Sequence, residues 1–139
     1  YRSAGMAAAS VVPNLIPILG VEAWLAMTGR EVSIMNMIAL TVAFGIAVDD
    51  TLHLLNRLRL AQGPDPAARL AEAVRAAGPP MAATTLVLMA GLLVTLASSL
   101  PGLAVFGGLI ALAVALALLA DLFLLPALLL GVARWFARR

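Results

Sequence analysis

Asp49 and Asp50 stand side by side inside an apolar run from Ile34 to Leu55, and His53 follows one turn later. A charge at the centre of a bilayer costs about 2.5–3.5 kcal/mol by insertion scales, so such residues face a bundle interior or a water-filled path. On a helix Asp49 and His53 are four residues apart and Asp50 and His53 three, so the imidazole reaches both carboxylates. At about 1.5 Å per residue, Asp49 lies roughly 10 Å in from Asn56, beneath the headgroups. Burial, the neighbouring carboxylate and any cationic partner all act on the same protons, so titration belongs to the cluster and not to one residue. That is the chemistry of a carrier that loads and releases protons. The plainer alternative, cation pairing to hold a bundle together, is weaker, because a buried ion pair is a poor route to stability. His53 has two readings: a proton relay, for which its ordinary titration range suits it, or a polar marker of the helix end.

Asp121 is the third intramembrane acid, within Leu118-Leu-Ala-Asp-Leu-Phe-Leu-Leu-Pro126 and roughly 20 Å along the helix from Arg134. It is either a further relay carboxylate or a hydrogen-bond partner for an adjacent helix. Thr84 and Thr85, in the first turns of the next span, are candidates to bridge the carboxylates to water; bonding to their own i−4 carbonyls is the ordinary alternative. Glu22 suits an outer proton entrance or an interfacial pair with Arg30, the latter preferred. The lone histidine and the absence of cysteine argue against a metal site. No Gly-rich phosphate loop is present, so neither a nucleotide nor any other cofactor is expected, and nothing suggests an enzyme.

These residues need elements that carry them across a membrane. Hydrophobic residues make up 63% of the chain and charged ones 12%, with mean hydropathy +1.06, more apolar surface than a soluble domain of this size hides. Four segments reach the roughly 20 helical residues that a hydrocarbon core of about 30 Å requires. They run from about Ala4 to Met27, Val32 to Leu55, Pro80 to Leu100, and Leu103 to Val132. The fold class expected is all-α integral membrane. Between spans two and three, Asp65-Pro66 reads as an N-cap followed by proline at the first helical position. It opens a short amphipathic helix over about 66–77, lying on the membrane surface and ended by Gly78-Pro-Pro80. Gly45, Ala43 and Ala47, and likewise Gly107-Gly108, are small residues that let another helix approach.

Arg57, Arg59, Arg69 and Arg75 fall between spans two and three, Arg134, Arg138 and Arg139 follow span four, and Arg2 precedes span one. All lie on one side of a four-span bundle, which the positive-inside rule makes cytoplasmic, with both termini there. The basic residues flank apolar spans and form no patch on a soluble face, so nucleic acid is excluded as a partner and the lipid bilayer is the expected one. The chain starts at Tyr1 without a signal-peptide pattern and reads as a piece of a longer protein, while Arg134-Trp-Phe-Ala-Arg-Arg139 reads as an interfacial anchor.

The string Gly45-Ile-Ala-Val-Asp-Asp-Thr-Leu-His-Leu-Leu-Asn-Arg57 closely resembles a membrane-helix motif of RND superfamily exporters, in the branch of MMPL-type and predicted lipid or hydrophobe exporters. Val12-Pro-Asn-Leu-Ile-Pro17, Gly78-Pro-Pro-Met-Ala-Ala-Thr-Thr-Leu86, Phe106-Gly-Gly108 and Ala120-Asp-Leu-Phe-Leu-Leu-Pro-Ala-Leu128 resemble the family's neighbouring helices in the same order. The resemblance implies two homologous six-helix halves, of which this chain is the last four helices of the C-terminal one. It departs from the Asp-Tyr form of mycobacterial MMPL proteins, and from the lysine of the drug-efflux branch.

What the resemblance implies is an inner-membrane antiporter driven by the proton motive force. Its protons would bind Asp49 and Asp50, with His53, Asp121, Thr84 and Thr85 as the further relay candidates that the residues themselves offer, and its substrate would be a lipid or another hydrophobic compound. The implied partners are the missing N-terminal half and possible further copies in a homo-oligomer. Two related readings compete: a sterol-sensing-type lipid-binding membrane module, and a SecDF-like translocation accessory.

Overall fold

The computed structural model describes residues 2–31 and 33–137, with side chains from residue 10 to residue 132. The start of span two at Val32, and the side chains of Arg2 and of the Arg134–Arg139 anchor, lie outside the described residues. The elements are α1 (Arg2–Met27), α2 (Ile34–Leu60), α3 (Pro66–Val94), a short 3-10 turn (Thr95–Ala97), α4 (Pro101–Leu119), a π-helical turn (Ala120–Leu124) and α5 (Leu125–Ala137). Among the described residues there is no strand, and four stretches are long and apolar enough to cross a membrane: Ser10–Met27, Ile34–Leu60, Pro66–Ala97 and Pro101–Val132. The protein is all-α, with the fourth stretch continuous from α4 through the π turn into α5.

The helix ends follow from local chemistry. Gly29, at φ 64°, takes the left-handed conformation that ends α1, and the Arg30 N–H closes on the Leu25 carbonyl at 3.1 Å. Ser33 caps α2, its hydroxyl oxygen accepting from the Asn36 N–H at 3.2 Å. Asp65 caps α3 by accepting from the Ala68 N–H at 2.7 Å, with Pro66 in the first turn where no intrahelical donor is needed.

One expected boundary is absent. The short surface helix over 66–77 does not stop at Gly78-Pro-Pro80; α3 runs through both prolines without a break. The reason is packing. Leu70, Ala73, Ala77, Met81 and Thr85 form one buried stripe at spacings of three and four that crosses the proline pair. Pro79 and Pro80 sit on the exposed side, where the carbonyls they leave without donors face away from the bundle. The amphipathic face is therefore not laid on a membrane surface. It is buried against Leu54 of α2 and Leu125 and Leu129 of α5.

Two apolar clusters hold the bundle. One joins Leu54, Leu70, Ala73, Ala77, Met81, Leu125 and Leu129 at the end that carries the arginine-rich connection. The other joins Val21 and Leu25 of α1, Ala39 and Ala43 of α2, and Leu109, Ile110, Ala113 and Val114 of α4. Gly107 lies so close to Thr95 and the Leu92 carbonyl that a Cβ there has no room, which fixes α4 against the end of α3. Gly45 behaves differently: Ala43 and Ala47 are buried, whereas nothing lies within 4 Å of a Cβ placed on Gly45.

Candidate functional site

Between the two apolar clusters runs a polar layer built from three separate elements. On α2 the buried stripe is Asn36, Ala39, Ala43, Ala47, Thr51 and Leu54, so Thr51 falls between Ala43 of one cluster and Leu54 of the other. On the fourth stretch Asp121 falls between Val114 and Leu125. Asn14 enters from α1, on the face that also buries Pro13, Pro17 and Val21. Asp121 is 1% exposed, Thr51 2% and Asn14 9%.

The π turn puts Asp121 in this layer. The Leu125 N–H reaches back five residues to the Ala120 carbonyl. Pro126 supplies the local cause, because it has no N–H and its ring crowds the Leu122 carbonyl four residues earlier. The wider turn accommodates one more residue and leaves both Ala120 and Asp121 facing the bundle. Such turns recur at functional positions in helices.

Thr51 connects the three. Its hydroxyl donates to Asp121 Oδ1 at 2.7 Å and also lies 3.1 Å from Asn14 Oδ1. The Asn14 amide donates in turn to the Ser10 carbonyl at 2.8 Å, within α1. Asp50 Oδ2 and Asp121 Oδ2 are buried and have no hydrogen-bond partner among the described residues.

Asp49 and Asp50, adjacent in sequence, point about 100° apart around the helix. Asp50 is half-buried toward the bundle. Asp49 is exposed, on a strip of α2 with Val42, Gly45, Leu52 and His53. Among the described residues no ion pair involves any of the three acids.

The remaining candidates are dispersed. Thr84 is exposed, and its hydroxyl donates to the carbonyls of Pro80 and Met81 in its own helix, at 3.1 and 3.0 Å. Thr85 is buried on the α3 stripe. The expected Glu22–Arg30 pair is replaced by a stacking contact, with the Arg30 guanidinium 5.6 Å from the centroid of the Trp24 ring.

Asn14 and Thr51 are the members of this layer that residue type alone did not mark. Their signal was periodicity. Ala39, Ala43, Ala47 and Thr51 recur every four residues, and Thr51 is the one polar member of that small-residue stripe. Asn14 stands between Pro13 and Pro17 at the same kind of packed face.

The comparisons with curated proteins and with solved structures find no match to the chain. The MMPL family model matches residues 4–139. With its four membrane-crossing stretches and its buried polar layer, the chain belongs to the MMPL family, a family of RND-type transporters and not of enzymes.

Proposed function

We propose that this chain is the membrane part of an exporter of lipids or other hydrophobic compounds, driven by the proton motive force, with protons carried by Asp49, Asp50 and Asp121. The observation that carries the reading is the set of three acids within membrane-crossing stretches with no ion pair to any of them among the described residues. A carboxyl in that position holds a proton or awaits a partner from elsewhere, and a transporter that cycles between the two does work with the difference. His53 sits one turn from both aspartates and relays protons toward the arginine-rich end. Thr85, buried on the α3 stripe, has a smaller part as a hydroxyl that holds water near the path, while the Thr84 hydroxyl is taken up by carbonyls of its own helix. The arginine distribution supports an inner membrane with the Asn56–Pro79 side and both ends of the chain in the cytoplasm. The exposed Asp49–His53 strip faces the other half of the same transporter.

The test is proton flux in proteoliposomes of the intact transporter under an imposed pH gradient. Substrate-stimulated flux is expected in the wild type and lost in Asp49→Asn and Asp50→Asn at unchanged membrane level. Full flux in the double variant overturns the reading. Lipid binding with no flux in any form favours a sterol-sensing-type module, and flux coupled to polypeptide movement a SecDF-like accessory.

A further inference from the structure

We propose that Asn14, Thr51 and Asp121 form a directed hydrogen-bond chain through which the proton on Asp121 controls the packing of α1. Thr51 and Asn14 act in it as positioning residues. The inference rests on the reading of Asp121 as a proton carrier and extends it to how the proton is converted into helix movement.

A threonine hydroxyl has one hydrogen to donate. Thr51 Oγ1 nevertheless lies at hydrogen-bond distance from two acceptor oxygens, 2.7 Å from Asp121 Oδ1 and 3.1 Å from Asn14 Oδ1. The Asn14 amide cannot be turned to resolve this, because its Nδ2 donates to the Ser10 carbonyl at 2.8 Å, and a flip sets two acceptors against each other. With a charged Asp121, the Thr51 hydrogen goes to the carboxylate, and Asn14 Oδ1 faces a bare hydroxyl oxygen. With a neutral Asp121, its own O–H donates to Thr51, Thr51 donates to Asn14, and both contacts are hydrogen bonds. Only the second arrangement satisfies all three residues.

Two further observations agree. Asp121 Oδ2 is buried and unpartnered; as the carbonyl oxygen of a neutral acid it costs far less than as half of a bare carboxylate. The π turn over Ala120–Leu124 holds Asp121 facing Thr51, so the contact is built into the backbone. When Asp121 gives up its proton, the O–H bond of the acid breaks and the proton passes, through water, to Asp50, which stands next to Thr51 in the chain and has a buried oxygen without a partner of its own. The Thr51 hydrogen then swings to Asp121, Asn14 loses its donor, and α1 loses its polar tie to α2. A ligand shifts a conformational equilibrium only through contacts that differ between the states, and here the proton is that ligand.

The groups that face Asp121 are few. On α2 the titratable residues nearest in the chain to Thr51 are Asp50, half-buried, and Asp49 and His53, both exposed. On α1 the nearest titratable residue is Glu22, about 12 Å along the helix from Asn14. The charged residues of α3 (Arg69, Glu72 and Arg75) are on its exposed side, and α4 has none.

The test is infrared spectroscopy of the intact transporter in lipid, with aspartate isotope-labelled, across a pH titration. A protonated-carboxyl C=O band is expected that Asp121→Asn removes. Thr51→Val, which keeps the shape and removes the hydroxyl, moves that band to higher frequency, and Thr51→Ser restores it. A spin-label distance between α1 and α2 is expected to change with pH in the wild type. In Asp121→Asn it stays fixed, because the amide of the new side chain still donates to Thr51. If Asp121→Asn does not fold, the shift in Thr51→Val and its recovery in Thr51→Ser still assign the band. The proposal is overturned if no such band exists at any pH where the protein is folded, or if the band ignores Thr51→Val. Flux lost in Asp50→Asn with the Asp121 band unchanged keeps both readings. Flux retained in Asp49→Asn/Asp50→Asn removes the exporter reading and leaves the hydrogen-bond chain to be judged on its own spectrum.

Discussion

Asp121 and Asp49 are both acids in the middle of apolar helices, yet their surroundings are opposites. Asp121 is enclosed by its own chain: a π turn aims it, Thr51 meets it, and apolar clusters close it off on either side. Asp49 lies on an exposed strip with His53 and Gly45, and none of the described residues comes within 4 Å of a Cβ placed on Gly45. Asp50, between them, has one buried oxygen without a partner. Asp121 is thus walled in by the described helices, whereas Asp49 stands open among them; in the proposed reading the other half of the transporter supplies the wall that is missing there.

The largest expected effect comes from the open side. Asp50→Asn, like Asp49→Asn, should abolish substrate-coupled proton flux in the intact transporter while leaving its amount in the membrane unchanged. Flux at wild-type level would erase the functional side of the contrast.

The enclosed side should show itself next, in stability. Asp121→Leu lets Thr51 donate to Asn14 but leaves the buried Thr51 oxygen without a donor, and should lower resistance to unfolding in mixed micelles by about 1–3 kcal/mol. Asp121→Asn, which keeps a donor and an acceptor in place, should cost under about 1 kcal/mol. Equal losses in the two variants would mean that Asp121 matters only for its shape.

The glycines sharpen the same comparison. Gly107→Val forces a side chain into Thr95 and the Leu92 carbonyl and should destabilise by about 1–3 kcal/mol. Gly45→Ala meets nothing within this chain. It should be neutral for these four helices alone and disruptive only where a second half packs on the strip. The smallest expected change is Trp24→Leu, which removes the ring under Arg30 at the opposite end and should cost about 0.5–1 kcal/mol.

Much of this was legible in the sequence because membranes impose coarse rules. Apolar length revealed the membrane-crossing helices, Asp65-Pro66 marked the start of α3, and the Gly45–Arg57 string pointed to the family. Gly78-Pro-Pro80 misled, because two prolines in succession read as a stop. What carries α3 through is a buried stripe from Leu70 to Thr85, which exists only once α2 and α5 are in place. The π turn was equally hidden: Pro126 stands five residues after Asp121, but a proline alone does not say whether a helix kinks, ends or widens. Thr51 was overshadowed by the charges beside it, although its place on the Ala39–Ala43–Ala47 stripe made it a polar residue aimed inward.

The measurement that tests the central claim most directly is the pH dependence of proton uptake by the intact transporter in proteoliposomes, wild type against Asp49→Asn, Asp50→Asn and Asp121→Asn. Uptake coupled to substrate is expected in the wild type and none in any of the three, each still folded and inserted. Undiminished coupled uptake in all three would contradict it and reduce the intramembrane acids to packing groups.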